Sequence, residues 1–111
     1  MTGSVDTETL NMLKEVMEDD FNALISTYLD DAGTRIPQLQ TLLEEANAEE
    51  LRHCAHSLKG SSSNLGAMPL SELCFEVETR AKEQQLGEVE PFLRQIEQEY
   101  EQVKTILSGM L

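Results

Sequence analysis

Leu51-Arg52-His53-Cys54-Ala55-His56-Ser57-Leu58-Lys59-Gly60-Ser61-Ser62-Ser63-Asn64-Leu65 is the stretch that decides the fold. Leu51, Ala55, Leu58, Ser62 and Leu65 recur at spacings of four, three, four and three, which is the buried stripe of an amphipathic helix. Asn47, with Glu50 three residues on, has the form of a capping box and opens this helix, and Gly66 can end it. On a wheel of about 100° per residue, His56 lies roughly 160° from the centre of the stripe, so it points to solvent. Arg52 is one turn before it, Lys59 one turn after, Ser63 two turns after, and His53 flanks it. This face of the helix has no carboxylate near its centre, although the chain holds 21 acidic residues against 8 basic ones. Gly60 stands almost in line with His56. A glycine inside an exposed helix costs about 1 kcal/mol relative to alanine, and no packing need explains it at a solvent-facing position. Its use is the missing side chain, which lets another molecule's backbone approach His56.

Helical periodicity continues on both sides of this stretch. Thr7 to Met17 forms a short first helix, capped by Asp6 or Thr7 and apolar along Leu10, Leu13 and Met17. From about Asp19 to Ala46 a stripe including Phe21, Leu24, Ile25, Tyr28, Ala32, Ile36, Leu39 and Leu42 keeps its phase across Pro37, which argues for one helix with a bend rather than two. Pro69 suits the first turn of a fourth helix buried along Leu70, Leu73, Cys74, Val77 and Ala81. Gly87 separates it from a last helix, about Glu88 to Leu107, buried along Leu93, Ile96, Tyr100, Val103 and Leu107. Short connections make neighbouring helices antiparallel. The expected fold is therefore all-α: an antiparallel up-down four-helix bundle, with its core over about residues 19–107, and a short extra helix at the N-terminus. One domain spanning residues 1–111 fits this length.

The net charge of −13 repels nucleic acid and anionic lipid, so neither is an expected partner. Most of that charge reads as solvated helix surface. Cys54 and Cys74 fall on apolar faces and read as buried free thiols, with no metal-binding spacing around them. Met1 to Leu10 has neither the basic nor the apolar part of a signal peptide, and no apolar run approaches the ~20 residues that span a bilayer. A cytoplasmic protein, monomeric, is the expectation.

The residues around His56 suit phosphoryl chemistry. A neutral imidazole nitrogen is a nucleophile near neutral pH. Phosphoryl transfer places charge on equatorial oxygens, which the Lys59 ammonium can offset. Exposure is required when the donor and acceptor of the group are themselves proteins.

The run from His56 to Ala67 resembles the signature of histidine phosphotransfer (HPt) domains of multistep two-component relays: Ala-His-x-Leu-Lys-Gly, small residues, then Leu-Gly-Ala. Leu70-x-x-Leu73-Cys74-x-x-x-Glu78 after it, and the Leu-x-x-Leu and Asp placement before it, extend the resemblance over about residues 20 to 105. The family is a four-helix bundle, in agreement with the periodicity. The resemblance implies that His56 is the phosphoacceptor, that Lys59 contacts the phosphoryl group and that Gly60 permits docking. It implies as partners the receiver domains of response regulators and of hybrid sensor histidine kinases, with magnesium on the receiver and no cofactor or metal on this chain. Glu78 stands where some members have Gln. There it can accept a hydrogen bond from the imidazole but would repel a phosphoryl group. Arg80 and Lys82 would add positive charge from the fourth helix. Arg52, His53 and Ser63 would border a docked partner, and Leu13, Met17 and Phe21 are candidate contacts on its apolar patch.

Other readings are weaker. A kinase is excluded by size and by the lack of a glycine-rich phosphate loop. An acidic helical adaptor that binds a signalling partner without chemistry leaves Lys59 and Gly60 unexplained. A metal site at His53 and His56 is opposed by the cations beside them and lacks a completing carboxylate.

Overall fold

Three helix ends in this chain are built the same way, and the difference between them locates the first helix. In the computed structural model, which describes residues 3–111, the helices are α1 (Thr7–Met17), α2 (Asp20–Glu44), α3 (Ala48–Asn64), α4 (Met68–Lys82) and α5 (Glu90–Ser108), with a 3-10 turn at Leu86–Glu88 before α5. Met1 and Thr2, the first residues of the expected 1–111 domain, lie outside the described residues. No strand occurs among the described residues.

After α2, α3 and α4 the chain turns through a left-handed residue: Ala46 (φ 55°), Gly66 (φ 80°) and Gln84 (φ 62°). Each turn carries the paired hydrogen bonds of a Schellman motif, such as Asn47 N–H to the Leu42 carbonyl and Ala67 N–H to the Ser62 carbonyl. Left-handed backbone alone therefore does not demand glycine here, since alanine and glutamine adopt it at the other two ends. At Gly66 the neighbours make the demand. A Cβ there would lie 3.1 Å from the Cβ atoms of both Asp6 and Thr9. The Asp6 N–H donates to the Gly66 carbonyl at 2.9 Å, so the start of α1 is seated on the end of α3.

Local sequence accounts for the helix starts. Asp6 caps α1 by accepting from the Glu8 N–H at 3.1 Å. Asn47 Oδ1 accepts from the Glu50 N–H at 3.2 Å. The Asn47 N–H is taken by Leu42, so only one half of the expected capping box forms. Pro69 and Pro91 lie in the first turns of α4 and α5. The proline at 91 explains why α5 starts slightly later than its apolar period suggests, after the 3-10 turn. Pro37 lies inside the continuous helix α2, as the unbroken stripe predicts.

The helices share one core. Phe21, Ile25 and Tyr28 of α2 meet Leu51, Ala55 and Leu58 of α3, Leu70, Cys74 and Val77 of α4, and Leu93, Ile96 and Val103 of α5. α2 packs on α3, α3 on α4, α4 on α5 and α5 on α2, while α1 packs on α2. The α3–α4 contact is the most extensive, helped by small residues at Ala55 and Cys74. Both cysteines are free and buried, and burial pushes the Cys74 thiol up to about 12. Ser62, the one hydroxyl in the α3 stripe, is fully buried and paired with the Tyr28 hydroxyl at 2.8 Å, which satisfies two polar groups in an apolar interior. Among the described residues no helix is long and apolar enough to cross a membrane.

Candidate functional site

The face of α3 turned away from the core carries His56, whose side chain is 62% exposed. The helix wheel puts it there because Leu51, Ala55, Leu58, Ser62 and Leu65 are all buried on the other side. Gly60, one turn on, opens onto empty space: a Cβ built there meets nothing within 4 Å. Ser63 is exposed. Arg52 is half-buried and donates toward His53 Nε2 at 3.4 Å, and His53 also lies 3.9 Å from Glu49.

α4 supplies what α3 lacks. Ser71, Phe75 and Glu78, spaced by four and three, look toward α3 as a row. The Ser71 hydroxyl donates to the Lys59 carbonyl at 3.0 Å. The Lys59 ammonium stands 5.2 Å from the centroid of the Phe75 ring, a cation–π distance. Glu78 reaches both key residues: Oε2 is 2.9 Å from His56 Nδ1 and Oε1 is 2.8 Å from Lys59 Nζ. The Lys59 contact is a close charge pair that holds the ammonium against Glu78. α3 places no carboxylate of its own beside His56, but one is inserted from the next helix.

This carboxylate fixes the imidazole. Burial, with the side chain only 16% exposed, pushes the Glu78 carboxyl up, but Lys59 and His56 outweigh it and hold it below its ordinary value of 4.5. An ionised carboxylate only accepts hydrogen bonds. In the neutral ring Nδ1 is therefore the protonated nitrogen, which leaves the lone pair on Nε2. A carboxyl with a lowered folded-state value contributes stability above the unfolded value and loses it as pH falls through the folded one. Acidification below 4.5 is thus expected to remove stability from the wild type that Glu78→Gln does not lose. Urea denaturation of the two proteins across that range checks this: their stability gap should narrow as pH falls, and a constant gap would show that the pairing contributes nothing.

Two expected residues are corrected. Phe21 is 1% exposed and belongs to the core, because α1 folds over that end of α2; it cannot touch a partner. Arg80 adds no positive charge beside His56. Its guanidinium is held by Glu76 at 2.6 Å and Glu88 at 3.3 Å and lies over the Phe92 ring, 4.4 Å from its centroid, toward α5. Lys82 is exposed one turn beyond Glu78. Leu13 and Met17 are half-buried and line an apolar groove of about 410 Å³ with Leu24 and Tyr28 of α2 and Ser61 and Leu65 of α3. The groove adjoins Gly60 through Ser61, and exposed Met12 and Val16 extend apolar surface along α1. Sequence reasoning passed over Met12, Val16 and Phe75. Their signal was apolar residues out of phase with the buried stripes of α1 and α4.

The family described as the Hpt domain matches residues 23–106. This chain belongs to that family. Its fold is also that of the crystal structure of histidine-containing phosphotransfer protein B from Pseudomonas aeruginosa PAO1, with a TM-score of 0.94, 34% identity, and coverage of 99% of this chain and 96% of that one. It is 30% identical to multistep phosphorelay regulator 1 of Schizosaccharomyces pombe over 67% of this chain. The Hpt chain spans only 26% of that regulator's length.

Proposed function

We propose that this chain is a phosphorelay intermediate: it accepts a phosphoryl group on His56 from a receiver-domain aspartate and passes it to the aspartate of another receiver. The observation that carries this reading is an exposed imidazole held through Nδ1 by Glu78, with an ammonium and an open glycine position one turn on. Nε2 attacks the phosphorus of the receiver's acyl phosphate in line, the N–P bond forms, and the P–O bond breaks with its electron pair returning to the aspartate. Nδ1 keeps its proton, and the positive charge that develops on the ring faces Glu78, as a carboxylate supports a histidine in hydrolase triads. Lys59 offsets charge on the phosphoryl oxygens. Magnesium comes with the receiver.

In this reading residues 1–111 form one HPt domain, an antiparallel up-down four-helix bundle of α2 to α5 with α1 as an added helix, acting as a monomeric cytoplasmic carrier without kinase activity of its own. The receiver docks over Gly60 and into the α1–α2–α3 groove, with Leu13 and Met17 as contacts and Arg52, His53, Ser63 and Lys82 around the rim.

The test is incubation of the wild type with a phosphorylated receiver domain and magnesium. Acid-labile, base-stable label on this chain is expected. A stable complex without label would replace the carrier with a binding adaptor. Gly60 provides a prediction with two signs. Gly60→Leu should stabilise the fold by up to about 1 kcal/mol, because leucine favours an exposed helix over glycine. It should also slow transfer on the order of tenfold or more, because the added side chain fills the approach to His56. Equilibrium denaturation and transfer rates measure the two, and unimpaired transfer would remove Gly60 from the docking surface.

A further inference from the structure

The arrangement of Glu78 carries an inference that rests on the phosphocarrier reading and deepens it. We infer that Glu78 competes with the phosphoryl group for Lys59 and so keeps the phosphorylated form of this chain poised to give the group away rather than store it. In the resting protein the Lys59 ammonium is already committed, 2.8 Å from Glu78 Oε1 and beside the Phe75 ring. The side chain of Glu78 is 16% exposed, so its charge is poorly served by water. A phosphoryl group on Nε2 brings negative charge to the same ammonium. Lys59 then either leaves Glu78 with a largely buried charge short of its partner, or stays between them and holds two negative groups close together. Both outcomes raise the free energy of phosphorylated His56 relative to the resting state. The other oxygen bears on the departure step instead of on this balance. Oε2, 2.9 Å from Nδ1, keeps the ring protonated there after phosphorylation, and a ring carrying that proton leaves as neutral imidazole when the N–P bond breaks and its electron pair returns to Nε2. The phosphoryl group goes to the carboxylate of a receiver aspartate, so the reverse step balances the forward one.

Glu78→Gln isolates the charge. The amide oxygen still accepts from Nδ1–H, so the imidazole keeps its orientation, while the negative charge that draws Lys59 is gone. With a phosphorylated receiver, magnesium and fixed protein amounts, the plateau partition of label between aspartate and histidine is expected to shift toward His56 on the order of tenfold in Glu78→Gln. Label on the isolated phosphorylated chain should also be lost more slowly. Lys59→Met should reduce histidine label more in the Glu78→Gln background than in the wild type, because only there is the ammonium uncommitted. A misfolded variant loses label, the opposite of the expected gain, so it cannot mimic the result. An unchanged partition, a shift toward the receiver, or additive effects of the two substitutions overturns the inference while leaving a labelled wild type as a carrier. A wild type that takes no label removes the carrier reading itself.

Discussion

His56→Gln is expected to take up no label from a phosphorylated receiver under conditions that saturate the wild type. Glutamine has no nucleophilic nitrogen, because its amide lone pair is delocalised, so the loss is complete rather than partial. The fold should not suffer. The His56 side chain is 62% exposed and stands opposite the α3 stripe, and surface substitutions of this kind usually stay within about 0.5 kcal/mol. A chain that melts with the wild type yet accepts no label would assign the chemistry to this one atom group. Equal label on wild type and variant would move the phosphoacceptor elsewhere, with His53 the remaining histidine.

Gly66→Ala is expected to be among the most damaging conservative changes in the chain, destabilising it by about 2–3 kcal/mol. Left-handed backbone accounts for about 1–2 kcal/mol in an L-residue. The added methyl must also displace Asp6 and Thr9, whose Cβ atoms would lie 3.1 Å away, and overpacking of this kind costs about 1–3 kcal/mol where neighbours cannot yield. Asp6 cannot easily move, since its backbone is tied to the Gly66 carbonyl and its side chain caps α1. The contrast is Ala46→Gly, where the same left-handed backbone already carries a methyl group and removal should stabilise by about 1 kcal/mol. Urea denaturation of both variants measures the difference. If Gly66→Ala were as stable as wild type, the seating of α1 on α3 would be too soft to matter.

The helices were legible in the sequence because each has one apolar stripe of constant phase, and the stripe of α3 also placed His56 in solvent. The resemblance put Glu78 within reach of the imidazole, but nothing in the sequence showed its contact with Lys59. That its two oxygens reach His56 and Lys59 follows from the register between α3 and α4, which the seating of Ser71 against Lys59 and the small residues between the helices set. A stripe along one helix carries no such cross-helix distance. Phe21 is buried for a related reason. Its place in the stripe of α2 says that it is apolar, but burial depends on where α1 lies. Arg80 turned away because Phe92, Glu76 and Glu88 together offer a better seat than the histidine side. Gly66 was readable as a helix terminator, but its second duty needs α1 in place.

The tie between Asp6 and Gly66 also acts as a ruler. One wall of the apolar groove is α1, and α1 starts from the last turn of the helix that bears His56. A partner that grips this groove thereby measures off its distance to Nε2 before any bond changes. In the proposed relay this span of backbone fixes how far the groove lies from His56, and a change in the pitch of α1 would alter that distance without touching a reacting atom.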